Sequence, residues 1–387
     1  MNIKEIDQKY VAGTYARFDV VFKYGIGSTL VDENGKKYTD LGGGIAVTSF
    51  GIADKEWEKA VMAQVRALQH VSNLYYTKPQ AELAQLLCEK TGMKKVFFSN
   101  SGAEANECAI KAARKYSADK YSADRNMIIT LKGSFHGRTI ATLTATGQDS
   151  FHKDFGPLPQ GFDYAQPNDI ADMKRLIAEN NCCAIMIELI QGEGGINVLE
   201  RDYVQEISKL CKENDILLIV DEVQTGNGRT GKLYCYMNYE IEPDILSTAK
   251  GLGGGLPIGA TMFNKKTESV LGAGSHGSTF GGNPVCAAGA LSIVERIDSV
   301  LMRSVKEKGD YIFSQFEGAK GVKSVSGMGL MIGIETVRDT KEVAAKCLER
   351  GVVVLTAKNK VRLLPALNIP FDELKEAVKV VKEVMKQ

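Results

Sequence analysis

The feature that most constrains the fold is a repeated pairing. A short, nearly continuous apolar run is followed by a loop rich in glycine, serine or charge. The runs are Val96 to Phe98, Met127 to Thr130, Ala184 to Ile187, Ile216 to Val220, Ile245 to Ser247 and Ala260 to Phe263. They are rich in β-branched residues and do not alternate polar with apolar, so they read as strands buried on both faces. Helix-like stretches lie between them, Ala103 to Tyr116 being the clearest. The pattern predicts an α/β fold with a mostly parallel sheet between helical layers. The loops SNSGAEAN, KGSFHGRT, IQGEGG, DEVQTGNGRTG and TAKGLGGG each follow a strand. Ligands of open parallel sheets bind beyond the C-terminal strand ends, so five such loops at one edge predict one site.

After about residue 295 the character changes. A charged helix precedes Val322 to Val325, Leu330 to Glu335, Val352 to Leu355 and Val361 to Leu364, and a last helix starts near Asp372. This reads as a smaller α+β unit. Near the N-terminus, Asn34-Gly35 sits between two short runs and predicts a hairpin turn. A chain of 387 residues exceeds the usual size of one core, which agrees with two packed domains.

Charge narrows the function classes. Lys and Arg number 48 against 47 Asp and Glu, so no basic field for nucleic acid is expected. No apolar stretch approaches the roughly 20 residues of a membrane span, and the N-terminus lacks the apolar segment of a signal peptide. A cytoplasmic enzyme is expected. The eight cysteines contain no C-x-x-C, so neither a zinc site nor a disulfide framework is expected.

One motif misleads. Gly226 to Gly231 fits the G-x-G-x-x-G dinucleotide pattern, and Gly226 to Lys232 fits most of a P-loop. A dinucleotide fingerprint belongs directly after a strand and opens a helix. Here Asp221 to Thr225 intervene, and Leu233 stands where a P-loop needs Ser or Thr. A nucleotide-binding protein using Gly226 to Lys232 is the remote alternative. Asp221 carries more weight, because an acid ending an apolar strand wants a cationic partner. Lys250 lies between an apolar run and Gly251 to Gly255, with room for a bulky aldehyde on its amine. Ser101-Gly102-Ala103 opens a helix where backbone N–H groups can approach a phosphate.

Taken together, these pieces resemble a pyridoxal-phosphate enzyme. The order SGAEAN, FHGRT, IQGEGG, DEVQTG, TAKGLGGGLPIGA, GSTFGGNP is similar to class III aminotransferases over essentially the whole chain. Gly13 to Arg17, GGGIAV and HVSNLYY look most like members acting on N2-acetyl-L-ornithine. The resemblance implies the fold of type I pyridoxal-phosphate transferases. Its parts would be an N-terminal segment 1–45 joining the small domain, a large cofactor-binding domain 46–294, and a small α+β domain 295–387. It implies pyridoxal 5'-phosphate as cofactor and no metal.

By the same resemblance, Lys250 joins the cofactor aldehyde and moves the substrate proton, and Asp221 keeps the pyridine nitrogen protonated. Val223 and Gln224 flank the ring, and Phe135 stacks on its other face. Ser101, Gly102 and Ala103 meet the phosphate, and Thr279 reaches the phosphate of a neighbouring subunit, which implies a homodimer. Arg138, Ser278 and Tyr15 are implied substrate contacts. Arg362 takes the α-carboxylate of glutamate or 2-oxoglutarate, and Glu193 neutralises it in the other half of the cycle.

The implied reaction moves the terminal amine of N2-acetyl-L-ornithine to 2-oxoglutarate, giving N-acetyl-L-glutamate 5-semialdehyde and L-glutamate, a step of arginine biosynthesis. Succinylornithine, ornithine and 4-aminobutyrate are alternative donors. Ile45 bears on the choice, because ornithine enzymes usually place a tyrosine near there. Two departures stand out: Gly51 to Asp54 replaces a turn with histidine and proline, and Glu188-Leu189 replaces Glu-Pro.

Overall fold

The computed structural model describes residues 2–386. Seven strands form its central sheet, in the spatial order Lys95–Ser99, Gly259–Phe263, Ile245–Thr248, Leu217–Asp221, Cys182–Ile187, Met127–Leu131 and Phe162–Ala165. Gly259–Phe263 runs antiparallel to both neighbours, and every other pairing is parallel. Cys182–Ile187 and Leu217–Asp221 are buried at every residue, as central strands covered on both faces must be. All six strands expected from the sequence lie in this sheet. The seventh, Phe162–Ala165, is an edge strand that is mostly half-buried, and Asp163 interrupts its apolar pattern.

Directly after Lys95–Ser99 comes the helix Gly102–Lys120. Its start is fixed twice. Ser101 Oγ accepts from the Glu104 amide at 3.1 Å, and the Glu104 carboxylate accepts from the Asn100 amide at 2.9 Å. This reciprocal cap aims the helix N-terminus beyond the sheet edge.

The chain ends build a second unit. Val322–Met328, Met331–Thr336, Lys360–Leu363 and Leu355–Ala357 form an antiparallel sheet. Near the N-terminus, Thr29–Asp32 pairs antiparallel with Lys37–Asp40. Asp32 Oδ1 accepts the amides of Asn34 and Lys36 at the turn, where Gly35 has φ +82°. Val352–Val353 then pairs in parallel with Lys37–Asp40, so both termini share one small α+β unit. Leu41 accordingly packs in the core of Ile332, Val361 and Val378 rather than that of the large sheet. Among the described residues no helix is long and apolar enough to cross a membrane.

One segment is strained. Gly43, Gly44, Ile45 and Ala46 all have φ between 53° and 64°. For the two non-glycines the left-handed conformation costs roughly 1–2 kcal/mol each. Asp40 Oδ1 holds the turn by accepting the Gly42 and Gly43 amides at 2.7 and 3.0 Å. Behind it, Ser49 Oγ donates to the Gly251 carbonyl at 3.1 Å, which ties the turn to the loop that carries Lys250.

Candidate active site

The loops at the C-terminal strand ends meet around a cleft of about 420 Å3. Its wall includes Ser101, Gly102, Ala103, Phe135, Arg138, Asp221, Val223, Gln224 and Lys250. Nine of the residues singled out in the sequence, from four separate loops, are therefore brought together.

Asp221 ends the central strand Leu217–Asp221 and is 4% exposed. Such a carboxylate needs hydrogen bonds to stay ionised. Its Oδ2 accepts from Asn106 Nδ2 at 2.7 Å and meets His136 Nδ1 at 2.8 Å, and Oδ1 accepts the Val223 amide at 3.0 Å. His136 is also buried, and its Nε2 has no hydrogen-bond partner. Below lies Glu188, whose two oxygens accept the Phe135 amide at 2.8 Å and the Gly192 amide at 3.2 Å. Burial pushes its carboxyl up to about 7; His136 opposes the shift and Asp221 adds to it. Asn106, His136 and Glu188 carried no role in the sequence reading. Asn106 and His136 lie within the loops SGAEAN and FHGRT, and a buried partner for Asp221 was the signal that could have found them.

Lys250 opens a single 3-10 turn, Lys250–Leu252, directly after Ile245–Thr248 and Ala249, and has φ +43°. Burial lowers its ammonium below the ordinary lysine value, while Glu193 and Asp221 pull the other way. The net shift favours the neutral amine, which is the nucleophilic form.

Arg362 lies on the strand Lys360–Leu363 and meets the cleft-lining Gln224. It is 3% exposed, and its Nη1 donates to Glu193 Oε1 at 2.6 Å and Gln224 Oε1 at 3.1 Å. Burial would raise the Glu193 carboxyl, but the charge and hydrogen bond of Arg362 outweigh it and hold the group below its ordinary value. Arg362 Nε remains buried without a partner.

Backbone approach at this site needs glycine at two positions. A Cβ on Gly102 would stand 2.6 Å from Val223 Cγ1, and one on Gly192 would stand 2.4 Å from Gln224 Nε2. The helix start therefore packs against Val223, and the Glu193 loop packs against Gln224. Arg138 lies with its Cζ 4.2 Å from the centre of the Phe151 ring and 5.5 Å from that of Phe135.

Three residues lie elsewhere. Ser278 and Thr279 line a separate cavity with Asn73 and Leu74. Ser278 Oγ touches the first cleft only through Asn100, whose Nδ2 donates to it at 3.2 Å. Tyr15 is 74% exposed and lines a cavity of the N-terminal segment. The glycine-rich loop is not a phosphate cradle either. Its Gly226, Gly228 and Gly231 amides donate to the carbonyls of Glu222, Leu233 and Gly228. They shape the loop, and its backbone closes on itself.

The chain is 48% identical over 387 residues to an acetylornithine aminotransferase of Haemophilus ducreyi, covering 100% of the chain and 98% of the relative. It is 45% identical to one of Caldanaerobacter subterraneus, at 98% of each chain. Among solved structures, the ornithine aminotransferase of Toxoplasma gondii superposes with a TM-score of 0.95 at 30% identity, over 99% of this chain and 94% of that one. The N-acetylornithine aminotransferase of Stenotrophomonas maltophilia gives 0.85 at 31% identity, over 98% and 97%. The family model for class-III aminotransferases matches residues 10–385, and the chain belongs to that family.

Proposed function

We propose that this chain is a pyridoxal-phosphate-dependent aminotransferase that moves the terminal amine of N2-acetyl-L-ornithine to 2-oxoglutarate. The observation that carries the reading is that Lys250 and Asp221 line one cleft with Gln224, whose side chain accepts from the Arg362 of the Arg362–Glu193 pair. Two loops supply an amine and an acid for a cofactor. A third element supplies an arginine whose charge a carboxylate can cover.

The residues fit pyridoxal phosphate on three counts. Asp221 is a buried carboxylate held by two side chains and aimed into the cleft, as a protonated pyridine nitrogen requires. Gly102 and Ala103 open a helix, where first-turn N–H groups lack intrahelical partners and suit a phosphate. Lys250 is half-buried, and desolvation lowers its ammonium below the ordinary lysine value. When bound, the cofactor supplies an aldehyde and an electron-accepting ring.

The chain's own residues do the rest. Asp221 keeps a proton on the ring nitrogen, and His136 and Asn106 fix its carboxylate in place. Lys250 Nζ would take up the proton released from the amine-bearing carbon of the donor. Phe135 and Val223 would hold the ring, with Gln224 beside them on the cleft wall. Arg138 takes the donor carboxylate with its planar fork. Glu193 covers Arg362 while the donor is bound and releases it to the α-carboxylate of 2-oxoglutarate.

Identity supports the acetylated donor. The chain is 48% identical to an acetylornithine enzyme but 30% identical to the ornithine enzyme with which it superposes at 0.95. Backbone overlap reflects the fold that both share, so identity is the better guide here. Ile45 adds chemistry, because its hydrocarbon side chain offers no acceptor to a free α-ammonium.

A homodimer is part of the reading. Ser278 and Thr279 line a cavity beside Leu74, which is 87% exposed, and Tyr75, Tyr76 and Phe280 are exposed too. Such apolar exposure marks an interface, and a second copy covering it would carry Thr279 toward the neighbouring cleft. Formation of L-glutamate from N2-acetyl-L-ornithine and 2-oxoglutarate by the purified protein tests the reading.

A further inference from the structure

The glycine-rich loop ends beside a second polar cavity. It has a volume of about 600 Å3 and lies between Thr230–Lys232, the helix Ser299–Phe316 and the turn Gly327–Gly329. Four cations line it: Arg201, Lys232, Arg303 and Lys306. Arg201 is engaged by Glu240 at 3.0 Å. The side chains of Lys232, Arg303 and Lys306 have no ion-pair or hydrogen-bond partner among the described residues. Asp310 is the one carboxylate on the wall. With Glu240 covering one cation and Asp310 offsetting another, two of the four positive charges are left over.

These cations come from different elements. Arg303 and Lys306 are three residues apart on one helix, so they share a face. Lys232 reaches the same cavity from the loop that follows Leu217–Asp221. Packing holds the loop in place: a Cβ on Gly231 would stand 3.6 Å from Lys306 Cβ. Arg229, wholly buried, donates from Nη1 to the carbonyls of Leu330 and Pro365 at 3.1 and 2.5 Å, and its own carbonyl accepts the Leu330 amide at 2.9 Å. The loop is thus pinned to the small unit on one side while Lys232 stays free on the other. The two charges left over repel one another, and a multivalent anion removes that cost.

We propose that this cavity binds a short polyphosphate anion, with Lys232, Arg303 and Lys306 as its ligands. A singly charged anion would leave part of the excess uncovered, and the volume exceeds that of one phosphate. The amides of Gly226, Gly228 and Gly231 are spent within the loop, so the anion is held by side chains and not by a P-loop backbone. The site is separate from the Lys250 cleft and does not depend on which amine donor the enzyme takes.

The test is calorimetric titration of inorganic tripolyphosphate into the cofactor-saturated enzyme, whose phosphate subsite is then filled. Saturable binding of one anion per chain is expected. The double variant Lys232→Gln, Lys306→Gln should weaken it on the order of tenfold or more, since charge-assisted contacts to phosphate are lost. Asp310→Asn should tighten it severalfold by removing the one repelling charge. No saturable binding, or equal affinity in all three proteins, overturns the proposal.

Discussion

Arg362 Nη1 lies 2.6 Å from Glu193 Oε1, and the arginine is buried while the glutamate side chain is 31% exposed. The pair is therefore asymmetric. The anion sits nearer the solvent, so it can swing away and leave the cation in the site. Removing the carboxylate should have two effects. Glu193→Gln leaves a buried guanidinium without its charge partner, at a cost of about 1–3 kcal/mol after allowance for the partly exposed glutamate. It should also shift the balance of the half-reactions toward L-glutamate and away from the terminal-amine donor by about tenfold. Single-turnover rates with each donor check this, and equal slowing of both would contradict the switching role.

Lys250→Ala should yield a folded protein that lacks the yellow absorbance of the cofactor-bound enzyme. Transamination should fall at least about a hundredfold, the range expected when a positioned proton carrier is lost. An absorbance spectrum after addition of pyridoxal phosphate, with gel filtration to confirm folding, checks both parts.

Gly102 closely approaches Val223 at the helix end. In Gly102→Ala the new Cβ falls 2.6 Å from Val223 Cγ1. Overpacking of this kind costs typically about 1–3 kcal/mol, and here it displaces the amides proposed for the phosphate. Cofactor affinity should drop about tenfold or more. Adding Val223→Ala should restore part of it, because the three atoms nearest the new Cβ all belong to Val223, while the contact of Val223 with the ring is lost. Equilibrium titration of the apoenzymes with pyridoxal phosphate measures the three affinities.

Glu222, next to Asp221, predicts a pH effect on stability. Its Oε2 accepts from Thr225 Oγ1 at 2.5 Å and its Oε1 accepts the Tyr236 amide at 2.7 Å. Burial pushes the carboxyl up from 4.5 to about 7. The folded state then keeps a proton that the unfolded state loses, so stability falls as pH rises from about 4.5 to about 7 and levels above that. The contribution is on the order of 3 kcal/mol. Glu222→Gln should reduce this slope and leave the share that Glu188 adds in the same range, since an amide can donate to Thr225 and still accept from Tyr236. Denaturant midpoints across that range check the sign.

Much of this was legible in the sequence for a physical reason. Asp221 and Lys250 each come at or just after the end of an apolar run, and the parallel sheet turns those ends toward one edge. The place of Gly102 and Ala103 on the cleft wall was legible because they open a helix directly after a strand. His136, Asn106 and Glu188 were not, because they serve Asp221 and the neighbouring loops through contacts across the fold that no local pattern records. The edge strand Phe162–Ala165 lacked the continuous apolar run that marked the others. Ser278, Thr279 and Tyr15 lie outside the Lys250 cleft, and the role implied for Thr279 rests on a second copy of the chain.

The account's central claim is the identity of the amine donor. Its most direct test is the kcat/KM of the purified enzyme, with 2-oxoglutarate as acceptor, for N2-acetyl-L-ornithine, N2-succinyl-L-ornithine, L-ornithine and 4-aminobutyrate. The account predicts the highest value for N2-acetyl-L-ornithine. A clear preference for L-ornithine or 4-aminobutyrate would contradict it.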